Sequence, residues 1–148
     1  MTFTDAVRTV LREKYATFSG RAARSEFWWF YLFTLVAGLA ISLIDRVIFG
    51  VNEDGDVNGL FGFVFALAII VPSIAVAIRR LHDRDRSGWW MLLCLVPLIG
   101  GLILIFAFWI RRGTEGPNRF GPDPLAPGAL GQAETGPVAS SSIPKVDR

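Results

Sequence analysis

Three uninterrupted apolar runs, residues 27–44, 60–78 and 89–110, constrain this chain more than any other feature. They are 18, 19 and 22 residues long, and none contains a charged side chain. At about 1.5 Å per helical residue each covers roughly 27–33 Å, close to the roughly 30 Å hydrocarbon core of a bilayer. A soluble domain of 148 residues has no use for three such runs. They predict an all-α integral membrane protein with three membrane segments. The balance of 52% hydrophobic against 19% charged residues agrees with that class.

Charge placement predicts orientation. Arg8, Arg12, Lys14, Arg21 and Arg24 precede the first run, against Asp5, Glu13 and Glu26. The first loop sets Arg46 alone against Asp45, Glu53, Asp54 and Asp56, whereas Arg79, Arg80, Arg84 and Arg86 crowd the second. Short basic flanks stay in the cytoplasm, so the N-terminus and second loop are expected inside and the acidic loop outside. The third run is less simple. Trp89 and Trp90 open it and Trp109 closes it, as interfacial belts would in a single crossing. That crossing is the expectation, although it puts Arg111 and Arg112 outside. Pro97, Gly100 and Gly101 leave a broken or re-entrant segment as the alternative, which needs protein around it.

Residues 3–18 read as an amphipathic helix, with Phe3, Val7, Val10, Leu11, Tyr15 and Phe18 on one face. Its stripe suits either the anionic cytoplasmic leaflet or the protein's own spans. Thr2 and Asp5 have capping-box spacing. Residues 27–31 form an aromatic belt, and Pro72 is expected to kink the second span. The charged start and the long first run exclude a typical cleaved signal peptide, so the first span is expected to act as an anchor. Residues 111–124 are rich in turn residues and complete a membrane domain over residues 1–124. A disordered tail is expected over residues 125–148.

Few residues suggest chemistry. Asp54, Asp56, Asn58 and Gly59 imitate the start of a calcium loop, but Phe65 occupies the position of the required Glu. His82 is the sole histidine, which excludes a multi-histidine metal site within one chain, and Cys94 reads as a packing residue. No catalytic residue, metal or cofactor is expected. Arg79, Arg80, His82, Asp83 and Arg86 are suited to lipid phosphates or to ion pairs. Glu26 borders the aromatic belt, where an unpaired carboxylate is costly. An ion pair from Glu26 to Arg79, Arg80 or Arg86, with Arg21 and Arg24 close by in sequence, would clamp two spans together.

Three ordered motifs carry a resemblance. They are residues 20–28 (GRAARSEFW), residues 79–83 with 86–90 (RRLHD and RSGWW), and residues 113–124 with Gly113, Thr114, Gly116, Asn118, Arg119, Phe120, Gly121, Asp123 and Pro124. Over roughly residues 15–124 the chain resembles domain of unknown function 805, the YhaH-like family of bacterial inner-membrane proteins. Ala23 stands where a third basic residue is common, and Arg84-Asp85 replaces the usual Thr-Gly or Thr-Asp. The resemblance implies a small multi-pass protein of the bacterial inner (plasma) membrane and implies no reaction.

The expected function is non-enzymatic: a scaffold, an envelope component or a partner of other membrane proteins, with a basic cytoplasmic face. The alternatives are an anionic headgroup binder or lipid-acting enzyme, and an oligomeric transporter or channel. The last is disfavoured because the spans lack charge. Candidate headgroup or ion-pair residues are Arg21, Arg24, Glu26, Arg79, Arg80, His82, Asp83, Arg86 and Arg119. Expected partners are membrane lipids, anionic phospholipids in particular, and other membrane proteins or further copies of the chain. No nucleic acid is expected.

Overall fold

The computed structural model describes residues 1–51 and 59–126. The calcium-loop imitation at residues 54–58 and the tail from residue 127 lie outside them. Among the described residues all extended elements are helical: α1 (Phe3–Arg8), α2 (Arg24–Phe49), α3 (Leu60–His82), a 3-10 helix (Gly88–Leu95) and α4 (Ile99–Ile103). Both α1 and α4 continue into π-helical turns, Thr9–Glu13 and Leu104–Trp109 respectively.

The first two apolar runs lie inside α2 and α3, of 26 and 23 residues, each longer than about 30 Å. Their mean hydropathies are 2.0 and 2.6, and only 6% and 22% of the apolar stretches are buried within the protein. Core helices of a soluble protein would hide such faces, so these faces require an apolar solvent. The helices are antiparallel, and α2 holds α3 with one carboxylate near each end. Asp45, 1% exposed, accepts from the amides of Phe61 (3.1 Å) and Gly62 (2.7 Å), capping α3 where Gly59 has no side chain. Glu26 pairs with Arg79 at the opposite end. The carboxylates are nineteen positions apart, about 28 Å along the helix, so the two clamps sit a bilayer core apart.

The N-terminal helix is shorter than the expected 3–18, because Lys14 leaves helical geometry and ends it at Glu13. Its start has the expected cap: Thr2 Oγ1 accepts from Asp5 N and Asp5 Oδ2 from Thr2 N. Val10 is fully buried with Ala22, Phe27, Phe30, Val76 and Ala77, so the middle of the stripe packs on the protein itself. Tyr15 then reaches α3 and donates its hydroxyl to the carbonyl of Ala68. Pro72 explains the partner. Four residues beyond Ala68, it lacks the amide that would otherwise take that carbonyl, and α3 runs through Pro72 with the gap filled from outside.

Tyr15→Phe should therefore cost about 1–2 kcal/mol in detergent unfolding, the usual cost of an orphaned acceptor. In a Pro72→Ala background the same change should cost close to nothing, because the helix then supplies its own donor. Equal costs in the two backgrounds would break the link between the tyrosine and the proline.

The third run corrects the expectation of a single crossing. Its 3-10 helix is eight residues long, about 16 Å, and the eleven residues from Ile99 to Trp109 return over a similar distance. Leu98 turns the chain with φ +61° in a γ-turn closed from Ile99 N to Pro97 O (2.7 Å). Gly100 permits the reversal, since a Cβ there would lie 1.7 Å from the Leu93 carbonyl oxygen. Trp90 and Phe108 face each other across the arms at 5.3 Å. Leu104 and Phe108 pack with Leu81 of α3 and anchor the returning arm, whereas the 3-10 helix buries no residue and Leu98 at the tip is 86% exposed. Arg111 and Arg112 are thereby returned to the end of the molecule that carries Arg79 to Arg86.

Candidate functional site

All three motifs meet at that end, and Asp83 is where they join. The C-terminus of α3 presents Arg79, Arg80, Leu81, His82 and Asp83, all buried. Arg21, from the segment before α2, brings Nε and Nη2 to Asp83 Oδ1, each at 2.9 Å. Its remaining donors go to the carbonyls of Gly116 (2.6 Å) and Thr114 (2.5 Å). Arg80 pairs with Asp83 Oδ2 and donates onward to the carbonyls of Ala22 (3.5 Å), Trp109 (3.3 Å) and Arg111. The latter two carbonyls end the returning arm of the hairpin, where a cation is favourable. One carboxylate thus holds two guanidiniums, and the guanidiniums hold the returning chain.

Backbone completes the clasp. The amide of Ala22 donates to Arg79 O (3.1 Å) and that of Thr114 to Asp83 O (2.8 Å). Glycine is required at 113, since a Cβ would stand 2.1 Å from Asp83 Oδ2. Asn118 donates to the carbonyl of His82 and to Thr114 Oγ1, both at 2.9 Å. Asp123 accepts from the amides of Gly116 (3.1 Å) and Leu125 (2.9 Å), which lowers its pKa below the ordinary carboxylate value.

His82 lies in a stack. Nδ1 donates to Gly20 O at 3.2 Å, and Phe120 covers the ring at 3.9 Å with planes 3° apart. Nε2 lies 3.7 Å from where a side chain at Gly88 would begin. Arg119 covers the other face of Phe120 at 4.8 Å and pairs with Asp85 at 3.1 Å.

The nine sequence-derived candidates divide by depth. Arg21, Arg80 and Asp83 form one buried network, His82 is buried beside it against Gly20 O and Phe120, and Glu26 and Arg79 form the neighbouring buried pair. Arg24, Arg86 and Arg119 remain at the surface: Arg24 leans to Ile110 O at 3.4 Å, and Arg86 sits 5.7 Å over Trp90. Arg80 has no exposed face, and its donors are occupied by protein acceptors. Of the nine, only Arg24, Arg86 and Arg119 present a guanidinium at the surface.

Tyr15 and Asp45 escaped sequence reasoning as structural residues, as did Gly113 and Phe120. Pro72 was a signal for Tyr15, since a proline inside a span leaves a carbonyl four residues back in need of a donor. Asp45 stood just past an apolar run and was counted only as loop charge. Among the described residues no group of three or more His, Cys, Asp or Glu side chains is disposed to hold a metal.

Two helices long and apolar enough to span a membrane, a broken apolar hairpin and a buried polar clasp define a small helical membrane protein. The chain belongs to the family described as protein of unknown function DUF805, which matches residues 15–122 and so takes in the first two motifs and the third as far as Pro122. It is similar to inner membrane protein YhaH of Escherichia coli (strain K12), 42% identical over 112 residues that cover 76% of this chain and 90% of that one. It is also similar to inner membrane protein YhaI of the same strain, 44% identical over 112 residues covering 76% and 89%. No solved structure matches.

Proposed function

We propose that the chain is a multi-pass inner-membrane protein with a non-enzymatic role, its clasp serving architecture and its N-terminus in the cytoplasm. The observation that carries this reading is the occupancy of Asp83, whose two oxygens are taken by Arg21 and Arg80. A general base needs a free lone pair within reach of a reacting group. Asp83 has a guanidinium on each oxygen, and His82 is stacked beneath Phe120 with glycine beside Nε2. Both are disposed to hold chain segments together. The orientation follows from charge: with the hairpin returned, Arg84, Arg86, Arg111 and Arg112 share one end, which suits the cytoplasmic side and its anionic leaflet. The similarity to YhaH and YhaI supports the inner membrane as the location.

The test is His82→Gln, which keeps a polar side chain while removing the only imidazole. A deletion strain carrying this variant at normal abundance should match the wild type in competitive growth against the uncomplemented deletion. Failure to complement by a folded variant would overturn the non-enzymatic reading and put imidazole chemistry in its place.

A further inference from the structure

We propose a phospholipid site in the groove between the start of α2 and the end of the hairpin, selective for an anionic headgroup. The groove is an open surface concavity of about 550 Å³, lined by Arg24, Ser25, Trp28, Trp29, Leu32 and Ile110. Its residues follow the order of a phospholipid. Arg24, Trp28 and Leu32 are spaced i, i+4 and i+8 on one face of α2, descending about 6 Å at each step from cation to indole to aliphatic side chain. Ile110, from the returning arm of the hairpin, supplies the facing apolar wall.

Charge selects the occupant. Arg24 is exposed and has one long protein hydrogen bond, to Ile110 O at 3.4 Å, so its guanidinium is available to a phosphate. Ser25 adds a hydroxyl at the same mouth. The start of α2 has no side-chain cap, because its N-cap residue is Ala23, and this adds backbone donors favourable to an anion. Below the mouth, Trp28, Trp29 and Leu32 stay 38–41% exposed and continue into the exposed surface of Tyr31 and Leu35. An acyl chain entering there remains continuous with the surrounding bilayer. Arg80 and Arg21 contribute nothing to this site, because their donors are occupied in the clasp.

Native mass spectrometry of the full-length protein in detergent, titrated with phosphatidylglycerol or phosphatidylcholine, reads the site directly. The wild type should retain phosphatidylglycerol preferentially. Arg24→Gln should lower that retention about fivefold, to the phosphatidylcholine level, whereas Arg24→Lys should keep most of it. Arg86→Gln removes one cation from the same end outside the groove and should leave the preference unchanged. Leu32→Trp fills the groove and should reduce retention of both lipids, which keeps the proposal testable should Arg24→Gln fail to fold. Equal losses for Arg24→Gln and Arg86→Gln would show general surface attraction and overturn the site. So would unchanged retention in Arg24→Gln or Leu32→Trp, or a dimer in the wild type that Leu32→Trp dissociates without altering lipid binding.

Discussion

Asp83→Asn should destabilise the protein by about 3–5 kcal/mol, the loss typical when one partner is removed from a buried ionic network. The substitution preserves shape and removes charge. Arg21 and Arg80, 5% and 0% exposed, would then be left without a counter-charge beside a neutral amide. Both also hold the returning chain, through the carbonyls of Thr114, Gly116, Trp109 and Arg111. Loss of the carboxylate should loosen the closing motif together with the hairpin. Gly113→Ala should act in the same direction, because its Cβ would displace Asp83 from both arginines. Arg86→Gln, at the surface, should stay within about 0.5 kcal/mol of wild type. Detergent unfolding compares the three variants, and an Asp83→Asn protein within 1 kcal/mol of wild type would show that Asp83 does not organise the clasp.

The second large effect is all-or-none. In a Cys94-free background, Glu115→Cys should resist a membrane-impermeant thiol reagent in intact cells and react after permeabilisation, matching Ser87→Cys. Asn52→Cys, in the acidic loop, should react from outside. Thr114 bonds through its amide to Asp83 O, so residue 115 lies at the same end as the 79–88 loop. A third run that crossed the bilayer would expose Glu115→Cys to the reagent. It would also separate Arg80 from the Trp109 and Arg111 carbonyls by the thickness of the membrane. Labelling of Glu115→Cys together with protection of Ser87→Cys would therefore overturn the hairpin, whereas inverted labelling at all three positions would reverse the orientation and leave the hairpin intact.

Several features were legible before folding because their causes are local. Residues 27–44 and 60–78 are uniformly apolar over a bilayer's length, and no alternative fold hides such surface in 148 residues. The cap formed by Thr2 and Asp5 involves only neighbours. Glu26 stood out because a carboxylate beside an apolar run needs a counter-charge, but which arginine it would take was not legible. Arg79, Arg80 and Arg86 are equivalent in sequence, and helix phase together with the path of the returning chain assigns Arg79 to Glu26 and Arg80 to Asp83.

The third run shows the division most plainly. Its length and its tryptophans matched a span, and the local pattern is the same whether the chain crosses or turns back. The decision rests on contacts between residues far apart: Arg80 with Trp109 and Arg111, Leu81 with Leu104 and Phe108, and Arg21 with Thr114 and Gly116. A hairpin in apolar surroundings must satisfy its broken backbone and its terminal carbonyls through other parts of the protein. Composition determined that the chain needs an apolar solvent and which two segments are long and apolar enough to cross it. Only the tertiary structure decided where the third segment ends, because the donors that hold its terminal carbonyls belong to the other two motifs.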